Sequence, residues 1–280
     1  MKKMLVGLTI LLVGLMSCSE ANKDKSPVST ASSNVTVLPF EFMLDDLDRQ
    51  RTVRLYLPPD YSSSSQSYPV LYMHDGQNVF DDATSDAGEW GVDESLNQLA
   101  QSSALRLIVV AIDNGGDYRM NEFSPWENTR FGEAQGKQYM DFIVDVVKPY
   151  IDNNYRTLAD AQHTAIMGSS MGGLISHYAI HAYPQVFSKA AMFSPAYWYS
   201  PQVFAYTHEH KVAPKARLYV MYGDKEGDGM IADTDRMQRQ LTEQGHPRSQ
   251  LQFKRVAGGE HNEKLWRNEF AEAIQWLFAD

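Results

Sequence analysis

The hexapeptide Gly168-Ser169-Ser170-Met171-Gly172-Gly173 constrains this chain more than any other stretch. It contains Gly-x-Ser-x-Gly centred on Ser170, between an apolar run, Thr164–Met167, and a segment of helical character that follows. A serine at the tip of so tight a strand-to-helix turn has a strained backbone, and side chains at the flanking positions would collide with neighbouring backbone. Glycine removes that obstacle. The turn lifts the hydroxyl to the carboxyl edge of a sheet and aims the Met171 amide, at the positive end of the new helix, toward the same point. That amide is a donor for an oxygen on which negative charge develops. Ser170 is therefore a candidate nucleophile; Ser169, its neighbour, is out of frame.

The rest of the chain supplies the layers that such a turn requires. Apolar patterning predicts strands at Val35–Met43, Thr52–Leu57, Tyr68–Met73, Leu107–Ile112, His163–Met167, Ala190–Phe193, Leu218–Tyr222 and Leu251–Val256. Helices are expected over Gln135–Asn153, Met171–Tyr183, Ile231–Gln244 and Glu263–Phe278. Short runs rich in Val, Ile and Leu, separated by helices, imply crossover connections. The expected fold is α/β: one domain, residues 35–280, with about eight strands in a mainly parallel sheet flanked by helices.

A serine hydroxyl attacks well only when a base takes its proton. Where Gly-x-Ser-x-Gly opens a helix, the acid and then the histidine follow later in the chain. Two histidines lie late enough. His246 falls between a helix end and a strand start, on the opposite edge of the sheet; His261 follows the last strand in a glycine loop that opens a helix. His261 is the candidate base. The acid should follow the strand ending at Tyr222, where Asp224, Glu226 and Asp228 offer three carboxylates. Any of them could orient the imidazole and stabilise its cation, and spacing alone does not choose.

The order serine, acid, histidine resembles that of the α/β-hydrolases. More narrowly the chain resembles the esterase family that includes enterobactin, feruloyl and acetylxylan esterases, S-formylglutathione hydrolase and mycolyltransferases. The likeness rests on Tyr68–Asn78 (YPVLYMHDGQN), Arg119–Trp126 (RMNEFSPW), the Ser170 motif, Ser194–Trp198 (SPAYW) and Gly259–Trp266, and covers nearly all of residues 35–280. It implies an α/β-hydrolase fold and a serine carboxylic ester hydrolase acting through an acyl-enzyme, with no cofactor. In that family the acid lies three residues after the glycine ending its strand, which selects Glu226 ahead of Asp224. The family also takes a second oxyanion amide from the loop at His74–Asn78, here Gln77 in preference to Gly76. A mycolyltransferase-like acyl transfer, or an inactive hydrolase fold used for binding, are the alternatives.

Around that edge the loops are long and aromatic: Asn114–Phe131 carries Tyr118, Phe123, Trp126 and Phe131, and Tyr197–Tyr206 carries Trp198. Trp126 and Trp198 are candidates to clasp an aromatic acyl group or a sugar face. Arg119 is a candidate for a substrate carboxylate, or for an ion pair with Glu122 that holds their loop. His74 and Asp75 stand side by side, but no second His or Cys falls at ligand spacing, so no metal is expected. The formal charge of −10, from 35 acidic and 25 basic residues, argues against nucleic acid as a partner. It also gives no sign of the basic pocket that an anionic ferric siderophore would need.

The N-terminus carries an address. Lys2 and Lys3 precede an apolar run from Met4 to Met16, which reads as a secretory signal and is shorter than the ~20 residues that span a bilayer. Leu15-Met16-Ser17-Cys18 resembles the lipobox of bacterial lipoproteins, and Cys18 is the only cysteine. The expectation is a signal peptide at 1–17, an acylated Cys18 and a polar tether over 18–34. Ser19, rather than Asp, follows that Cys, which by the same resemblance points to the outer membrane. The substrate is then an exported or external ester, such as an acyl sugar or a siderophore.

Overall fold

The computed structural model describes residues 28–279. The signal peptide expected at 1–17, the lipidation candidate Cys18 and the tether up to residue 27 lie outside the described residues. Strands run at β1 (Val35–Val37), β2 (Phe42–Leu44), β3 (Arg49–Arg51), β4 (Val53–Tyr56), β5 (Val70–Met73), β6 (Ile108–Ile112), β7 (Thr164–Ser169), β8 (Lys189–Phe193), β9 (Arg217–Gly223) and β10 (Leu251–Val256). Helices are α1 (Val92–Ser102), α2 (Arg119–Glu122), α3 (Gly136–Phe142), α4 (Lys148–Asn154), α5 (Met171–Ala182), α6 (Gln202–Glu209), α7 (Asp228–Glu243) and α8 (Glu263–Leu277).

Eight strands make one sheet in the order β1-β4-β6-β5-β7-β8-β9-β10. It is antiparallel only at β1–β4 and β4–β6. Alternation along each strand sends side chains to two separate cores. Val70 and Tyr72 of β5, with Ile108, Val110 and Ile112 of β6, pack beneath Leu174 and Ile175 of α5 and Met237 and Leu241 of α7. Leu71, Met73, Val109 and Ala111 pack against Leu96 and Leu99 of α1 and Phe270, Ile274 and Leu277 of α8. The result is a three-layer α/β/α sandwich whose central strands are apolar on both faces because both are covered.

The structure departs from the sequence expectation in four places, each with a physical reason. The strand expected over Val35–Met43 is broken: Pro39 has no N–H for a ladder, so Val35–Val37 stays in the main sheet while Phe42–Leu44 pairs separately with Arg49–Arg51. The single helix expected over Gln135–Asn153 carries a π turn at Ile143–Val147. Pro149, in the first turn of α4, cannot donate to the turn before it, and a wider turn accommodates that gap. Helix α1 lies in a stretch for which no element was expected and α6 begins inside the loop expected over Tyr197–Tyr206, their apolar stripes being short and interrupted by polar residues.

The tether expected up to Asn34 is docked from Ser29 onward. Ser29 Oγ donates to Asp81 at 2.6 Å, Thr30 Oγ1 to Glu89 at 3.0 Å, the Ser32 amide to Asp93 at 2.7 Å and Asn34 to the Leu57 carbonyl at 2.7 Å. A stretch with little to bury is held here by polar bonds, a kind of anchoring that apolar patterning does not register.

Candidate active site

Ser170 sits between β7 and α5 with φ 55° and ψ −117°, a strained conformation for a residue that is not glycine. The glycines around it are demanded by space. A Cβ on Gly168 would lie 2.8 Å from the Gly172 carbonyl carbon, so the strand end and the first helical turn touch through bare backbone. The turn is tied on both sides: the Ser170 amide donates to the Phe193 carbonyl at 2.9 Å, and the Ala196 amide donates to the Ser170 carbonyl at 3.0 Å. Met171 is the first residue of α5, where helix geometry leaves the amide without an intrahelical acceptor.

The strands that follow Ser170 bring the acid and the histidine to the same edge. Glu226 comes three residues after the end of β9, and His261 lies between β10 and α8. A Cβ on Gly223 would sit 2.2 Å from the Gly259 carbonyl oxygen, so the two loops can close on each other only because both positions are glycine. The Lys225 amide donates to Gly259 at 2.9 Å and the Asp224 amide to Val256 at 3.0 Å. Asp224 is engaged elsewhere: its Oδ1 accepts from the Gly258 amide at 2.7 Å and braces the histidine loop.

The Glu226 side chain is fully buried, with His261 Nδ1 at 3.3 Å from its Oε2. Its Oε1 accepts from the Gly223 amide at 2.7 Å and from Ser194 Oγ at 2.6 Å. Ser194 Oγ in turn accepts from the Trp266 indole N–H at 2.9 Å. The same indole packs edge-on against the His261 ring, 5.1 Å between centroids. The His261 side chain is 33% exposed. His246, the other late histidine, is buried and has its Nε2 3.0 Å from the Ala216 carbonyl, beside the start of β9 and far along the sheet from this edge. Asp228 opens α7.

Sequence reasoning passed over Ser194 and Trp266 in this network. Both lie in stretches that carried the family likeness, and a hydroxyl directly after a buried strand end was the available signal.

A third loop follows β5 and meets the start of α5, where a Cβ on Gly172 would lie 3.3 Å from His74 Cβ. Asp75 adopts φ 56°, which turns its carboxylate toward Arg119: Nε to Oδ1 is 2.6 Å and Nη2 to Oδ2 is 2.8 Å, with Asn114 Nδ2 donating to Oδ1 at 2.6 Å. Burial pushes the Asp75 carboxyl up, yet the Arg119 guanidinium and these hydrogen bonds outweigh it and hold the group below its usual range. Burial drives His74 down to about 3, so its imidazole is neutral, with Nδ1 2.8 Å from the Tyr139 hydroxyl.

The expected Arg119–Glu122 pair does not form. Glu122, fully buried, is held instead by Arg49 at 2.6 Å and by Arg51. Gly76 and Gln77 begin the short turn that follows Asp75. In that turn the Asn78 and Val79 amides are engaged by the Asp75 and Gly76 carbonyls, and Gln77 Oε1 accepts from the Asn114 amide at 3.2 Å.

The aromatic loops clasp one another. Trp126 is half-buried, edge-on to Tyr178 and Tyr206 at 6.0 and 5.7 Å, so its ring serves packing on those sides. Phe131 stacks on Tyr199 at 5.5 Å, and Asn128 Nδ2 donates to the Tyr199 carbonyl at 2.6 Å. Trp198 is different: 46% of it is exposed.

This sheet, with a positive-φ serine at its central strand-to-helix turn, is the α/β-hydrolase fold. The chain belongs, moreover, to the family described as "Putative esterase", whose model matches residues 45–277, and it is a carboxylic ester hydrolase. YbbA of Bacillus subtilis is 30% identical over 244 residues, covering 81% of this chain and 92% of that protein. Among solved structures, the enterobactin esterase FES from Shigella flexneri superposes with a TM-score of 0.72 at 17% identity, over 89% of this chain and 60% of that one. The siderophore hydrolase EstB from Aspergillus nidulans gives 0.68 at 19% identity, over 90% and 98%.

Proposed function

We propose that the chain hydrolyses carboxylic esters through an acyl-enzyme formed on Ser170. His261 takes the Ser170 proton as Oγ attacks the ester carbonyl, then returns it to the departing alcohol; Glu226 holds the imidazole in one tautomer and stabilises its cation. The Met171 amide and that of Gln77, or of its neighbour Gly76, receive the oxyanion. Water, deprotonated by His261, then releases the acid and restores Ser170. The observation that carries this reading is the buried Glu226 carboxylate, with one oxygen saturated by two donors and the other presented to His261 at 3.3 Å.

The substrate we propose is an external ester such as an acyl sugar or a siderophore. Relatives in fold named as siderophore hydrolase and enterobactin esterase support the class, and the exposed Trp198 ring offers a face to a sugar or an aryl group. Arg119 has two of its donors engaged on Asp75, which favours a neutral ester over a polyanionic ferric complex. We also propose export as a lipoprotein acylated at Cys18 and held at the outer membrane. Metabolic labelling with palmitate should mark the parent and leave a Cys18→Ala variant unlabelled; equal labelling of both would refute the anchor.

The test of the chemistry is p-nitrophenyl acetate and butyrate hydrolysis by the parent and by Ser170→Ala, with a fluorophosphonate probe as the second readout. Activity and probe labelling present in the parent and absent in the variant are expected. Undiminished turnover in Ser170→Ala would remove the serine from the mechanism.

A further inference from the structure

Ser194 occupies a position whose backbone favours glycine. It follows the end of β8 with φ 47°, its amide bonded to the Met221 carbonyl at 2.6 Å, and it is fully buried. Elsewhere among the described residues most positions with positive φ are glycines, among them Gly88, Gly91, Gly227 and Gly258. A side chain kept at such a site against its backbone preference points to a use for that side chain.

The hydrogen bonds define the use. The Trp266 N–H can only donate, so it takes a lone pair of Ser194 Oγ and leaves the hydroxyl proton for Glu226 Oε1. That proton and the Gly223 amide saturate Oε1, and Oε2 is left facing His261. The same short turn grips the nucleophile: Phe193 accepts from the Ser170 amide and Ala196 donates to the Ser170 carbonyl.

We infer that Ser194 is a positioning residue for ester hydrolysis. It fixes the Glu226 rotamer that orients His261, and it ties the acid to the serine through a single turn, Phe193–Ala196. The inference rests on the triad reading of Ser170, Glu226 and His261. A hydroxyl that merely satisfied a buried polar group would affect stability; one that sets the acid's geometry affects turnover through Glu226.

The experiment is a double-mutant cycle on the full enzyme. Ser194→Ala keeps the Cβ; Ser194→Gly suits the positive φ, so a loss of activity there is not a consequence of backbone strain. In both, kcat should fall about 10- to 100-fold with KM nearly unchanged, as for a misplaced catalytic group. The acidic limb of kcat/KM should shift as well, because the carboxylate facing the imidazole has lost both a donor and its fixed place. In a Glu226→Gln background, adding Ser194→Ala should change kcat less than about twofold, since the acid it served is gone.

Single variants at parental kcat with an unmoved pH profile, while Glu226→Gln is strongly impaired, would overturn the role of Ser194 and leave the triad standing. So would a full, additive loss in the Glu226→Gln background. Parental turnover in Glu226→Gln would remove the acid itself, and the role of Ser194 with it.

Discussion

Replacing Gly223 by alanine tests whether the acid loop and the histidine loop are held in register by bare backbone. The new Cβ would lie 2.2 Å from the Gly259 carbonyl oxygen and 2.4 Å from its carbon, atoms of main chain that cannot rotate away. Opening that contact to a tolerable distance requires the loops to part by about 1 Å in a tightly packed interior. The Lys225–Gly259 bond at 2.9 Å spans the same gap and would be stretched past hydrogen-bonding range. Glu226 and His261 stand on the two parting loops, and their contact, at 3.3 Å, is already long.

The expected outcome for Gly223→Ala is a drop of about 100-fold in kcat on p-nitrophenyl butyrate, with KM little changed, because a misplacement of this size costs about two orders of magnitude. Overpacking should also cost about 1–3 kcal/mol. In a domain of this size each of those kilocalories lowers Tm by about 2–4 °C, measurable by calorimetry. The control is Gly229→Ala in α7, where an added Cβ meets nothing within 4 Å. It should raise stability by up to about 1 kcal/mol, as alanine does for glycine in a helix, and leave kcat unchanged. A Gly223→Ala enzyme within about threefold of the parent would refute the argument, since parting the two loops by about 1 Å is worth far more.

Three further outcomes follow from contacts around the same edge and at the N-terminus. Glu226→Gln should lower kcat by about 10³-fold or more, as loss of a triad acid does, whereas Asp224→Ala, which loses only the brace to Gly258, should cost less than about tenfold; steady-state kinetics on one ester separates them. Arg119→Leu leaves the Asp75 carboxylate buried without its ion-pair partner, a loss of about 3 kcal/mol in urea unfolding near neutral pH. The folded-state pKa of Asp75 lies below its unfolded value, so this stabilisation is present above about pH 4 and disappears as pH falls through the folded value; the variant's acid-unfolding midpoint should therefore move up. A chain beginning at residue 35 should melt several degrees below one beginning at residue 28, because it lacks the bonds from Ser29, Thr30, Ser32 and Asn34, each worth about 0.5–1.5 kcal/mol.

What could be read from the sequence, and what could not, divides along the range of the interaction. The central strands announce themselves because a strand covered on both faces must be apolar throughout, as Ile108–Ile112 is. The Ser170 turn is legible because its steric demands fall on adjacent residues. Helix α1 escaped notice because Val92, Leu96 and Leu99 are diluted by Asp93, Glu94, Asn97 and Gln98, and its buried stripe is completed by α8, far away in sequence. A pair between Arg119 and Glu122 is the alternative that a reading confined to their own loop offers. The positive φ at Asp75, invisible in a string of letters, supplies a better-placed carboxylate from another loop, while Arg49 and Arg51 claim Glu122.

The same division explains why three carboxylates after β9 could not be told apart by spacing, and why one of them stands out in three dimensions. A loop acid must do two things at once: satisfy its own buried charge and present an oxygen to a histidine on the neighbouring loop. Asp224 faces Gly258 and braces that loop, and Asp228 begins α7. Only Glu226, three residues beyond Gly223, folds back to accept that glycine's own amide while its other oxygen reaches His261. Local chain geometry thus brings the carboxylate back to the end of its own strand. Two glycines let the loops meet, and Ser194, at the end of the neighbouring strand β8, supplies the donor that keeps the carboxylate there. Each contribution comes from a different element ending on the carboxyl edge, which is why a parallel sheet, whose strands β7 to β10 all finish on that side, can assemble a site that no single segment encodes.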